Sequence, residues 1–226
     1  MKPLLSLGCD YAHEGLTIET IDWDTLRTID VSAYEAIIVT GGDGSIRRCI
    51  QTMHERDAFL PIIVNAKGSF NVVAKWLRLP RIERTLDALA HGRHSFRSIP
   101  YYTLNEHVFV FSAGNMGDVQ HIALAETLRF GWLRRGILKY LIALIALLPL
   151  HLIVTPLALL SKSRFFIFTP LPFLPKRLGA FRRELSEPLL IDLGDGYHLV
   201  ELDGDIMLIQ DNRVVLHPCG TIAFIQ

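Results

Sequence analysis

The stretch Ala36-Ile37-Ile38-Val39-Thr40-Gly41-Gly42-Asp43-Gly44-Ser45 decides how this chain is read. Its first half is a continuous apolar, β-branched run, the pattern of a strand buried on both faces. Its second half is a glycine turn. Beyond it, Ile46, Cys49, Ile50 and Met53 recur at helical spacing, which predicts a helix over 45–53. Gly41, Gly42 and Gly44 let the backbone adopt positive φ and approach a polyanion closely. Successive N–H groups at a helix start make an anion site. Asp43 adds negative charge to such a cradle. It makes sense where a carboxylate holds Mg²⁺ between phosphates or orients an attacking hydroxyl. Ser45 offers a hydroxyl to phosphate and a cap to the helix. The plain alternative is a tight turn with a helix cap.

Downstream, Pro61-Ile62-Ile63-Val64 reads as a second buried strand. Lys67-Gly68-Ser69-Phe70-Asn71 follows it and opens a helix over 71–79, limited by Pro80. Two matched strand–turn–helix units are far less expected by chance than one. Upstream, residues 16–23 alternate like a strand. The order strand, glycine turn, helix, strand, glycine turn, helix implies a parallel sheet with helices on its faces. Both turns then lie at the carboxyl edge, where open α/β sheets bind ligands. Past Leu89 the pattern changes to short strands at 107–112, 189–193, 197–202, 206–210, 214–216 and 221–225, with Asp211-Asn212 as a hairpin turn. The expected fold class is α/β: a nucleotide-binding domain over 1–99, then an antiparallel β-rich domain over 100–226 with an apolar insert at about 132–180.

Within the insert, residues 140–160 carry no formal charge with neutral His. That length just spans a bilayer. Pro149 and Pro156 are expected to divide the segment. Arg134, Arg135 and Lys139 precede it; Lys162, Arg164, Lys176, Arg177, Arg182 and Arg183 follow it. Basic residues on both sides fit a broken amphipathic or re-entrant segment on an anionic leaflet better than one crossing. A buried core helix with a proline-rich loop and a true span stay open as alternatives.

Lys+Arg and Asp+Glu balance at 23 each, so nothing draws the whole molecule to nucleic acid. Cys9, Cys49 and Cys219 are too scattered for a disulfide framework or a zinc site, and the histidines show no metal-ligand spacing. A reducing cytoplasmic location follows as the expectation, with peripheral attachment to a membrane. Residues 1–9 faintly suggest a lipoprotein signal, but the apolar stretch is short and Asp10 follows at once.

The sequence resembles the diacylglycerol-kinase-like lipid kinases, which are related to sphingosine kinases and more distantly to NAD kinases. Gly41-Gly42-Asp43-Gly44-Ser45 is similar to the family's GGDGT, with Ser for Thr. Gly68, Ser69, Asn71 and Ala74 match its second signature; Phe111 to Gly117 looks like its strand into a glycine turn; Leu202-Asp203-Gly204-Asp205 is similar to its Asp-Gly-Glu hairpin. The resemblance implies ATP on the glycine turns and a lipid hydroxyl entering against the second domain. It implies that Gly41, Gly42, Asp43, Gly44 and Ser45 face nucleotide and Mg²⁺, that Gly68, Ser69 and Asn71 bind phosphates, and that Asp205 is the general base. A carboxylate suits that task only when burial or a neighbouring charge tunes it.

The chain also departs from the family. The initial strand with its Asn-Pro…Ser-Gly turn is not found, Val72 stands where an acidic or small residue is common, and Asp205 is one methylene shorter than Glu. Lys67 reads equally as a cation for phosphate or a surface lysine. The reading is therefore an ATP-dependent lipid kinase acting on a substrate such as diacylglycerol. A non-catalytic nucleotide- or lipid-binding module is the rival, and a soluble NAD-type kinase, which predicts no membrane contact, is a third.

Overall fold

A computed structural model describes residues 2–116 and 138–226. Two compact units divide the chain: Met1–Pro100 with Gly220–Gln226, and Tyr101–Cys219. Residues 220–226, read from sequence with the second domain, thus belong to the first.

The first unit is built on parallel strands Leu4–Leu7 (β1), Ile18–Ile21 (β2), Ala36–Gly41 (β3) and Ile62–Ala66 (β4), in the order β2-β1-β3-β4. Helices Asp43–Glu55 (α1), Val72–Leu77 (α2) and Ile82–Ala90 (α3) complete it. Alternation along the strands sorts the core. Leu4, Ile38 and Ile63 face Ile82, Leu86 and Leu89 of α3 in one buried cluster, which Ile225 joins. Ile46, Cys49, Ile50 and Met53 are the buried stripe of α1. The burial that covers Cys49 pushes its thiol up to about 12, so it behaves as a small core apolar group.

β1 corrects the expectation that no initial strand precedes the glycine motif. It is wholly buried and pairs with β3 from Leu4↔Ala36 to Leu7↔Val39. Leu4-Leu5-Ser6-Leu7 is bounded by Pro3 and Gly8, which is what a short buried strand looks like; the buried Ser6 hydroxyl is satisfied by the Cys9 carbonyl at 2.6 Å. The chain passes from β1 to β2 on one side and from β3 to β4 on the other. The carboxyl ends of β1 and β3 therefore flank the topological switch point, where open α/β sheets take ligands.

Strand Phe96–Leu104 (β5) begins in the first unit and ends in the second, where it pairs antiparallel with His107–Phe109 (β6) from Tyr102↔Phe109 to Leu104↔His107. A mixed sheet joins Ser112–Gly114 (β7), Phe166–Phe168 (β8), Arg177–Leu178 (β9), Phe181–Arg182 (β10), His198–Leu202 (β12) and Asp205–Ile209 (β13), in the order β13-β12-β7-β8-β10-β9. Strand Leu189–Asp192 (β11) pairs antiparallel with Arg213–Ile225 (β14). Tyr102 stacks on Phe109 at 5.2 Å in a core that includes Phe165, Ile167, Val200, Leu202 and Leu216.

Two local expectations change. The run 107–112 is two strands, because the Asp203 carboxylate takes the backbone N–H groups of Val110, Phe111 and Ser112 that a single ladder would use. Asp211-Asn212 is not a hairpin turn. β13 pairs with β12, while Asp192↔Arg213 is the last pair of β11 with β14, so the turn links strands with different partners.

The apolar insert is also corrected. Leu138–Leu160 (α4) is one continuous helix that includes Pro149 and Pro156. Each proline removes one ladder bond, and the surrounding Leu, Ile and Ala are strong enough helix formers to carry the helix through. It is apolar around its whole circumference, so the amphipathic expectation does not hold. Among its described side chains Ala143 and Ala158 are buried, whereas Leu141, Ile145, Leu152 (70% exposed), Ile153, Leu157 and Leu160 (82%) are exposed. Those residues are not a core helix. Among the described residues no helix is long and apolar enough to cross a membrane. Gly117, Arg134 and Arg135 lie outside the described residues.

Candidate functional site

The two glycine turns are one structure. The Gly41 carbonyl, at the end of β3, accepts from Lys67 N at 2.8 Å and Gly68 N at 3.2 Å, at the end of β4. Gly42 and Gly68 then meet backbone to backbone. A Cβ on Gly42 would stand 3.0 Å from the Gly68 Cα, and one on Gly68 would overlap the Gly42 Cα. Here the motif glycines are needed for the turns to touch each other.

Asp43 closes the same joint. Its Oδ2 accepts from Val72 N at 2.8 Å and its Oδ1 from Val73 N at 2.9 Å. These are orphan donors of the first turn of α2, whose own N-cap residue supplies no side-chain bond. Asp43 is thus the cap of a helix 29 residues downstream. Burial raises its carboxyl above the ordinary 3.8, against the opposing pull of the two N–H groups and Lys75.

Each Asp43 carboxylate oxygen accepts one backbone N–H and keeps a lone pair that could face a Mg²⁺ held between phosphates; among the described residues no group of three or more His, Cys, Asp or Glu is placed to hold a metal. Val72, at the position where the family often has an acidic residue, offers only its N–H.

Ser45 does not cap α1; the N-cap is Gly42, whose carbonyl accepts from Ser45 N at 3.0 Å. The Ser45 hydroxyl sits over Gly41, where it would collide with any Cβ. Gly44 and Ser69 are exposed. Asn71 holds a left-handed backbone (φ 51°) and donates from Nδ2 to the Gly68 carbonyl at 2.8 Å. Its Oδ1 is a buried acceptor with no hydrogen-bond partner, aimed at the seam between Gly42 and Gly68.

Sequence reasoning missed a third contributor at the same edge. Tyr11, in the segment after β1, puts its hydroxyl 2.6 Å from Thr40 Oγ1, and Asn65 Nδ2 donates to the Tyr11 hydroxyl. Thr40 and Asn65 are the late residues of β3 and β4, so a polar triad ties three strand ends together. The signal available was the short strand followed by Gly8. Beside the second turn lies a pocket of about 440 Å³ lined by Asn65, Lys67, Ala74, Arg81 and Glu83 among others. Lys67 therefore lines a cavity and is exposed.

Asp205 lies in the second unit, on the exposed first position of β13. It follows a two-residue turn in which Asp203 (φ 51°) and Gly204 (φ 90°) are both left-handed, the geometry of a tight hairpin. The buried carboxylates here are its neighbours. Asp203 gathers three backbone N–H groups at 2.8–3.0 Å. Glu201 accepts from the Ser112 hydroxyl at 2.6 Å and from Gly204 N. Sequence reading passed over Glu201 and Asp203 as the buried carboxylates of this hairpin. Asn115 of the third motif stitches instead: its Oδ1 accepts from Phe165 N and its Nδ2 donates to the Ser163 carbonyl, both at 2.9 Å.

Gly68→Ala is expected to destabilise the first unit by about 1–3 kcal/mol, because the added methyl meets fixed backbone. Gly42→Ala should cost less. Thermal unfolding of the two variants tests the order; equal stability of Gly68→Ala and the parent would mean that the turns separate freely.

This geometry defines a class: an α/β unit with paired glycine turns at its carboxyl edge, and a β-rich unit. Residues 14–99 match the family model for the diacylglycerol kinase catalytic domain. No curated protein matches the sequence. A protein from Bacillus anthracis str. Sterne assigned to the diacylglycerol kinases shares the fold over 99% of this chain and 96% of its own, at 11% identity and a TM-score of 0.53. A diacylglycerol kinase structure from the same organism matches 57% of this chain at 16% identity and a TM-score of 0.42; this chain spans 55% of its length. An NAD kinase from Archaeoglobus fulgidus, solved in complex with ATP, covers 99% of this chain and 93% of its own at 11% identity, with a TM-score of 0.45.

Proposed function

We propose that this chain is an ATP-dependent lipid kinase, transferring the γ-phosphoryl group to a lipid hydroxyl such as that of diacylglycerol at the cytoplasmic face of a membrane. The observation that carries the reading is the joined pair of glycine turns, in a stretch that matches the diacylglycerol kinase catalytic domain. Such transfer is mostly positioning and charge stabilisation. Gly42, Gly44 and Ser69 supply backbone N–H groups for the polyphosphate, Ser45 and Ser69 supply hydroxyls, and Gly41 and Gly68, whose carbonyl and N–H bond each other, allow the close backbone approach. Asn71 Oδ1 takes a donor such as a ribose hydroxyl. Asp205 takes the proton of the lipid hydroxyl, and Asp43 acts by holding α2 against the first turn. The membrane contact is supported by the exposed apolar residues of α4.

One observation favours the rival reading, a nucleotide- or lipid-binding module without transfer: both Asp43 oxygens accept backbone N–H groups of α2. Phosphate transfer from labelled ATP to a panel of lipids in mixed micelles separates them. The expected result is one phosphorylated lipid, whose rate falls about 10²–10⁴-fold in Asp205→Asn while nucleotide binding is kept. Bound nucleotide with no transfer to any lipid would establish the module instead.

A further inference from the structure

The segment after α4 carries Lys162, Arg164, Lys176, Arg177, Arg182 and Arg183, with no acidic residue before Glu184. Several of these cations are occupied. Arg164 donates to the Asn115 carbonyl at 2.7 Å, Arg183 to the Pro172 and Leu174 carbonyls, and Lys176 pairs with Glu184 at 2.7 Å. Arg177 and Arg182 differ. They are direct cross-strand partners in the β9–β10 hairpin, and among the described residues neither guanidinium has an acceptor. Like charges set opposite each other are unfavourable. Burial and the charge of Arg177 both lower the Arg182 pKa, which marks the same strain.

The hairpin holding this pair is fixed to the end of the apolar helix. Ala180 N donates to the Leu159 carbonyl at 2.8 Å, and Gly179, at φ 59°, packs so closely on that carbonyl that a Cβ would overlap it. Phe173 (77% exposed) and Leu178 (56%) stand in the same segment as large apolar groups in solvent. An uncharged apolar surface thus ends at two adjacent, unneutralised guanidinium groups flanked by further apolar residues. That sequence of chemistries matches a leaflet, in which acyl chains give way to phosphate. Arg is suited to phosphate because its planar fork donates two parallel hydrogen bonds.

We infer that the Arg177–Arg182 pair clamps the phosphate of an anionic phospholipid in the bilayer against which α4 lies. The inference rests on the membrane contact proposed above and not on the kinase reaction.

The test is sedimentation of the full chain with vesicles of phosphatidylcholine alone and of phosphatidylcholine with phosphatidylglycerol. The parent is compared with Arg177→Gln/Arg182→Gln and with a charge-matched control, Lys162→Gln/Lys176→Gln. The expected result is roughly tenfold or greater preference of the parent for the anionic vesicles, since each cation at the surface adds to binding. The Arg pair variant should lose most of that preference and the control only part. Removing opposed like charges should leave the fold intact, which thermal unfolding checks. Equal loss in both variants would replace the clamp by diffuse attraction and overturn the inference. Equal binding to both vesicle types would overturn it while leaving the membrane contact standing. Binding to neither would remove contact and clamp together, with the transfer assay unaffected as the measure of the kinase reading.

Discussion

Asp203→Ala is expected to cost the second unit about 4 kcal/mol or more. The carboxylate accepts from Val110 N through Oδ2 and from Phe111 N and Ser112 N through Oδ1, and all three donors are buried. Alanine leaves them without an acceptor, and an orphaned buried donor costs more than an ordinary hydrogen bond contributes. It must also hold φ 51°, which Asp tolerates better than Ala. Asp203→Asn separates the two effects. Asparagine tolerates the left-handed backbone and keeps Oδ1 for Phe111 and Ser112, but turns a donor toward Val110. Its loss should be about half that of alanine. Urea unfolding followed by circular dichroism gives both values. An alanine variant within about 1 kcal/mol of the parent would mean that other groups take over the three N–H groups.

Asp43→Ala is expected to cost about 3 kcal/mol in the first unit and to abolish nucleotide binding with it. The hydrogen bonds to Val72 N and Val73 N are lost, and α2, only six residues long, has no other side-chain cap. The pH dependence has a definite sign. Burial raises the folded-state value above 3.8, so the fold prefers the protonated carboxyl. Its contribution is fully present below 3.8 and declines as pH rises through the raised value. The deficit of the variant should therefore be greatest at the acid end and shrink toward neutrality. A deficit that grows with pH would mean that the ionised form is the one the fold prefers.

The strand-and-turn core of the first unit was legible because its runs are extreme. Ile37-Ile38-Val39 and Ile62-Ile63-Val64 admit few readings, and glycines follow both strands. β1 was not legible at four residues with a serine inside. Only pairing with β3 identifies it, and pairing is a long-range fact. For the same reason the capping role of Asp43 was not legible. A carboxylate in a glycine turn has the same local sequence whether it meets a metal or two amide donors 29 residues later. In the second unit, Asp-Gly was read as a catalytic motif for Asp205. The buried roles of Glu201 and Asp203 depend on Ser112 and its neighbours, some 90 residues earlier. The prolines of α4 were over-read, because local breaking rules yield when the flanking residues favour helix on both sides.

The end of β14, residues 220–225, joins the unit otherwise made from the first hundred, with Phe224 paired to Ile62 of β4. This has a consequence for biosynthesis. As the polypeptide leaves the ribosome, the segment with both glycine turns emerges early, yet its sheet lacks a strand until more than a hundred further residues have been made. Until then β4 presents an open edge, and open edges pair with whatever strand is at hand. The first unit is thus begun before the β-rich unit and completed only after it, because residues 220–226 follow Cys219.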